Sequence, residues 1–266
     1  MVTISQLDKF VLGEAGAKQL GAEEGRIIGL TDGKIKKAVV CWMATVEAIE
    51  FAAKKNADTI ICHESLFLPY NAPLGAFGEP PRDFLSWSAN HRKSVLLFRH
   101  NIGVYRLHGI MDTTNIMDVF VDQLDLGEVV YQDPEKYHRV VKFKPVALKK
   151  IARQIKGRLG LKSVLIVGDG ERKVSRAGFI WGGMGLFVNA RFIEELIALG
   201  CDLLIGGESD EYAMQYIKDS GTCAVITSHL LSEREGVRKF SELLAEKFKG
   251  SLEVLYFANG LPYSPG

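Results

Sequence analysis

Four apolar, strand-like runs in this chain each end in side chains able to bind a metal or move a proton. Thr59-Ile60-Ile61-Cys62 leads straight into His63-Glu64. Residues 103–107 lead into His108, and Asp112 follows four positions later. Residues 202–207 stop at Glu208, and residues 223–228 stop at His229, with Glu233 after it. Carboxyl ends of strands are where open α/β sheets bind their ligands. One such ending means little, but four together point to a shared site.

The side-chain types define the chemistry. Imidazole and carboxylate donors suit zinc, manganese, iron or nickel, whereas a structural zinc site draws more on thiolates. Carboxylates also bridge cations, as a two-metal site requires. His229 and Glu233 have the spacing of neighbours on one helix face. Ser232 and Glu235 also have the spacing of a capping box, which would start the helix at Glu233 and leave His229 on the preceding turn. Either arrangement can bring both side chains to one metal. His108 is open to two roles, direct ligand or orienting partner.

Other residues of these types read as structural. His91, His100 and His138 are read as hydrogen-bonded turn residues. Cys62 belongs to the strand and is expected to face the core. The glycine clusters at 168–170 and 182–185 match neither a dinucleotide fingerprint nor a P-loop, so they are read as turns, of a kind able to line a pocket rim.

Elements must position these groups. Strands are expected at 27–30, 38–42, 59–62, 103–107, 163–167, 202–205, 223–227 and 252–257, with helical patterns between them at 46–53, 192–199, 212–218 and 232–249. That alternation predicts an α/β protein with largely parallel sheets. Residues 69–81 hold four of the eight prolines and read as a long loop. Residues 136–162 carry ten lysines and arginines and no acid, with Leu148, Ile151, Ile155 and Leu159 at helical spacing. This is a basic amphipathic helix with a solvated outer face, which divides the chain into parts at about 1–130 and 160–266.

With 266 residues, 47% hydrophobic content and 33 basic against 32 acidic residues, the chain can bury a large core and has no overall attraction to nucleic acid or membrane. The N-terminus lacks the pattern of a signal peptide, and no apolar run approaches the ~18 residues of a membrane span. The four cysteines show no CxxC pair; Cys41, Cys201 and Cys223 are expected as buried free thiols. A cytoplasmic protein is expected.

The endings taken together resemble the Nif-three-like (NGG-one-interacting factor) family, whose members are also called type-two GTP cyclohydrolases or dinuclear metal centre proteins. Its first motif, an apolar strand closing in His-His-Pro-Leu-aliphatic-Phe, is similar to Ile60-Ile61-Cys62-His63-Glu64-Ser65-Leu66-Phe67. Its strand into His-Thr-Asn-x-Asp resembles His108-Gly109-Ile110-Met111-Asp112, and Gly-His-x-x-Ser/Thr-Glu resembles Ser228-His229-Leu230-Leu231-Ser232-Glu233. The Gly-Gly-Glu at 206–208 is similar to the family's Thr-Gly-Glu/Asp segment. The resemblance spans nearly the whole chain. It implies a Nif-three-like fold of two α/β lobes with mainly parallel sheets and the site between them, and a homohexameric ring. It implies His63, Asp112, His229 and Glu233 as ligands, with Glu64 in place of the family's second histidine. That exchange replaces a borderline nitrogen by a hard oxygen and favours manganese, iron or magnesium.

The expected function is hydrolysis of a small molecule, of amidohydrolase or cyclohydrolase type, by water activated on two divalent ions (zinc, manganese, iron or nickel). His63, Glu64, Asp112, His229 and Glu233 would hold the metals, and His108 or Glu208 would move protons. The alternative is a ring-shaped binding or scaffold protein whose metals are structural or regulatory.

Overall fold

The computed structural model describes residues 1–22, 24–29, 33–67, 82–133 and 137–264. The expected loop at 69–81 lies outside them. The chain forms two compact units, one of residues 1–115 with 237–260 and one of residues 116–236 with 261–266.

The first unit is organised around a five-stranded sheet. Its strand order is Glu253–Phe257, Lys37–Cys41, Thr59–Cys62, Gly103–Arg106 and Gly25–Ile28. The first four are parallel, and the last is antiparallel to its neighbour. Thr59–Cys62 and Gly103–Arg106 are buried at every position, because helices cover the sheet, and so they read as unbroken apolar runs. Helix Val46–Lys54 starts where the Thr45 side chain accepts from the Ala48 N–H, and it presents Ala48, Ile49 and Ala52 to the sheet. These residues join Val39, Ile60, Cys62, Leu97 and Val104 in one core. Among the described residues a short antiparallel pair, Val2–Thr3 with Lys34–Ile35, adds a second small sheet.

The second unit has six strands in the order Glu128–Gln132, Arg139–Ala147, Lys173–Ile180, Leu203–Gly206, Cys223–Ile226 and Leu165–Val167. Only its central three are parallel; the flanking pairings are antiparallel. Periodicity does not predict the strands at 128–132, 139–147 and 173–180. Their residues are largely exposed or alternate irregularly, and Val129/Tyr131 and Val174/Arg176 are register shifts that break a strict two-residue pattern. Helix Leu148–Arg158 follows, with Leu148, Ile151, Ala152 and Ile155 buried as the spacing predicts and its basic residues outward. The whole basic stretch, from its first described residue, belongs to this unit.

Among the described residues no helix is long and apolar enough to cross a membrane. All four cysteines are free and buried. Burial raises the Cys62 and Cys201 thiols to about 12 and moves Cys41 and Cys223 upward as well. A thiol with that pKa is thiolate in only about one molecule in ten thousand at pH 8. The native protein should therefore leave all four thiols unreacted toward a disulfide reagent at pH 8 over minutes, and release four equivalents in denaturant. Rapid native labelling at Cys62 or Cys201 would contradict the burial described here.

Candidate metal centre

In the first unit, the sheet stops where the chemistry begins. The His63 and Glu64 N–H groups both donate to the Trp42 carbonyl, at 3.0 and 2.8 Å, which turns the chain out of the strand. Asn259, 4% exposed, holds that loop: its Oδ1 accepts from the Trp42 and Met43 N–H groups and its Nδ2 donates to the Met43 carbonyl. Buried Arg106 donates through Nε to the His63 carbonyl at 3.1 Å.

The His63 ring is fully buried, and its Nδ1 lies 3.2 Å from the Leu107 carbonyl. A carbonyl only accepts, so Nδ1 carries a proton, and a ring with that one proton presents its lone pair at Nε2. That lone pair faces carboxylates, with Asp112 Oδ1 at 3.6 Å and Glu64 Oε1 at 3.9 Å. Three electron-rich groups directed at each other beyond hydrogen-bond length form a cradle for a cation. His108 completes the cluster, with its ring centroid 4.7 Å from that of His63. One ligand atom from each of His63, Glu64 and His108 lies within 4.8 Å of the others.

His108 is held by a residue that sequence reading misses. Glu24 Oε1 accepts from the His108 N–H at 3.1 Å and the Ile110 N–H at 2.8 Å, satisfying two free donors of the turn that opens helix Gly109–Met111. Asp112 follows as the first residue of a π-helical turn, Asp112–Ile116, with its N–H on the His108 carbonyl. Turns of this kind are frequent at functional sites.

In the second unit, helix His229–Lys247 begins at His229, so His229 and Glu233 are neighbours on one helix face. The Ser232–Glu235 capping box does not form. The Ser232 hydroxyl instead donates to the His229 carbonyl and accepts from the Gly182 N–H. His229 stands between carboxylates, with Nδ1 3.2 Å from Glu208 Oε1 and Nε2 3.2 Å from Glu233 Oε1. A neutral imidazole has one proton for these two acceptors, so one side needs a second proton or a metal. Glu233 is 2% exposed, while the Glu208 side chain is half-exposed.

The glycine cluster at 182–185 is a turn, and it has a purpose beyond turning. Gly182 has φ +52°, and a Cβ there would sit 2.0 Å from Glu233 Oε1 and 3.1 Å from His229 Nε2. A Cβ on Gly207 would strike the Gly182 backbone and the Ser232 hydroxyl. Both positions need glycine for the backbone to come this close to the ligand-type side chains. The Gly-Gly steps at 182–183 and 206–207, each after a buried parallel strand, were the available signal.

The remaining histidines take other places. His91 and His100 are exposed on helix Ser88–His100, and His138 stacks on Phe192 with Glu195 Oε2 3.1 Å from its Nε2. Replacing Glu24 with alanine removes the acceptor of two backbone donors, so stability should fall by about 1–3 kcal/mol in urea titration. Glu24→Gln, which keeps an acceptor oxygen, should recover at least half of that loss. Equal stability of Glu24→Ala and wild type would refute the clamp.

Comparison with known proteins places the chain in a family. A Neisseria meningitidis serogroup B protein named GTP cyclohydrolase 1 type 2 homolog is 28% identical over 233 residues, covering 86% of each chain. An Escherichia coli K12 protein of the same name is 30% identical over 218 residues, covering 80% of each. The crystal structure of a Bacillus cereus protein related to NIF3 superposes with a TM-score of 0.78 over 99% of both chains at 13% identity, a likeness of fold. The model of the Duf34/NIF3 (NGG1p interacting factor 3) family matches residues 15–260, and the chain belongs to that family.

Proposed function

We propose that this protein is a metal-dependent hydrolase of amidohydrolase or cyclohydrolase type acting on a small molecule. His63, Glu64, Asp112, His229 and Glu233 would hold two divalent ions. One observation carries the reading: the buried His63 ring gives its Nδ1 proton to the Leu107 carbonyl and turns its Nε2 toward Asp112 and Glu64 at 3.6 and 3.9 Å. Such an arrangement calls for a second ring proton or a cation, and with a divalent metal it is a suitable donor set. The names of the relatives, GTP cyclohydrolase 1 type 2 homolog, agree with attack by water on an electrophilic ring carbon.

When bound, two divalent ions supply Lewis acidity and a nucleophile at neutral pH. The chain's own residues do the rest. Hydrogen bonding to Leu107 fixes His63 in the tautomer that leaves Nε2 as donor to the metal. Glu208, at His229 Nδ1, does the same for His229 and leaves Nε2 on the Glu233 side. Glu208 is thus a positioning residue. His108, packed against His63 and anchored by Glu24 only through its backbone, is the group proposed to move protons at the substrate.

Protein purified without chelator should contain between one and two equivalents of transition metal per chain, and a strong chelator should abolish hydrolysis of any substrate found in a small-molecule screen. Metal below a tenth of an equivalent, with no uptake of manganese or zinc, would sink the proposal.

Glu64 gives a sharper test. Histidine at this position exchanges a hard oxygen for a softer nitrogen, so Glu64→His should shift the zinc-to-manganese affinity ratio toward zinc by roughly tenfold or more in a competition titration. An unchanged ratio removes Glu64 from the ligand set, and a shift toward manganese contradicts the assignment of hard and soft donors.

A further inference from the structure

The second unit contains a cavity of about 840 Å³ that the hydrolase reading does not use. Its floor is Ile226, at the end of the strand Cys223–Ile226, and Leu231, in the first turns of helix His229–Lys247. Both are buried. Leu165, on the edge strand, and Tyr263 form part of its lining, and each is 56% exposed. Lys162 and Arg234 also line it, and among the described residues no aspartate or glutamate does. Lys162 is exposed and makes no ion pair with a described residue, while Arg234 Nε lies 3.7 Å from Glu235 outside the lining.

The cavity is separate from the ligand-type residues. Helix residues advance by about 100° each, which places Leu231 roughly opposite His229 and Glu233 around the helix axis and turns Arg234 about 100° or more away from them. The volume lies in the range of small-molecule sites, roughly 300–1,000 Å³, and the composition is theirs too, mostly apolar with a few polar groups. Lys162 and Arg234, the charged side chains of this mostly apolar wall, select the occupant's charge.

We infer that this cavity binds a soluble single-chain amphiphile with an apolar tail and one anionic head, the head held by Lys162 and Arg234 and the tail lying along Ile226, Leu231 and Leu165. The apolar tail accounts for Leu165 and Tyr263 standing open to solvent in the free protein, since ligand would cover them.

The test is calorimetric titration of the protein with decanoate, decanol and decyltrimethylammonium, each below its micelle concentration. Decanoate should bind at one per chain, decanol more weakly, and the cationic amphiphile least. Lys162→Glu puts like charge against the head and should weaken decanoate roughly tenfold while improving decyltrimethylammonium. Ser163→Trp, a substitution at an exposed lining position, should block decanoate by filling the cavity. Circular dichroism of both variants should match wild type, and metal content should be unchanged. The inference is overturned if wild type does not bind decanoate, if the three head groups bind alike, or if both variants bind decanoate as wild type does. Sedimentation of the protein with phosphatidylglycerol vesicles, with no uptake of free decanoate, would equally overturn it in favour of a membrane surface.

Discussion

Burying a carboxylate is expensive unless donors or a cation answer it, and Glu64, Asp112 and Glu233 are all 9% exposed or less. Much of the local structure follows from that constraint. Histidines stand beside these acids, and their ring orientations are fixed by groups that can only accept, the Leu107 carbonyl for His63 and the Glu208 carboxylate for one side of His229. Apolar strands bring the ligand-type groups to the sheet edges. Glycines remove the Cβ atoms that would otherwise occupy the space beside Glu233 and His229. Stability alone would favour apolar residues at such places.

The parts legible in sequence are those fixed by local pattern. Thr59–Cys62 and Cys223–Ile226 are short unbroken apolar runs because both faces of each strand are covered. The acids and imidazoles directly after such runs stand out against that background. The helix at Leu148–Arg158 has a clear apolar stripe and lies where its spacing puts it. The motif order that resembled the Nif-three-like family runs through these same segments, and the family match over residues 15–260 agrees with it.

What escaped the sequence is held by contacts between distant residues. Glu24 meets His108 across 84 positions, and Asn259 meets Trp42 across 217. Neither is near a recognisable motif, and an isolated Glu or Asn has many possible uses. The start of helix His229–Lys247 was obscured for a related reason. Ser232 has the spacing of a cap, but its hydroxyl is committed to the Gly182 backbone fifty residues away. Tertiary partners override local propensity where a site is assembled. The strands at 128–132, 139–147 and 173–180 were missed because their pairings shift register, and because much of the first two is exposed, which erases alternation.

The strand Glu253–Phe257 and the Asn259 clamp tie the end of the first unit to its beginning. On the ribosome this reverses the usual order of completion. Every strand of the second unit's sheet has been synthesised by residue 226, whereas Lys37–Cys41 must wait for residues 253–257 to cover its edge. During that interval the nascent chain carries an apolar, unpaired strand edge, the kind of template on which chains associate wrongly. The first unit, begun before the second, is therefore finished after it, and the time taken to translate from residue 41 to residue 257 sets how long aggregation can compete with folding.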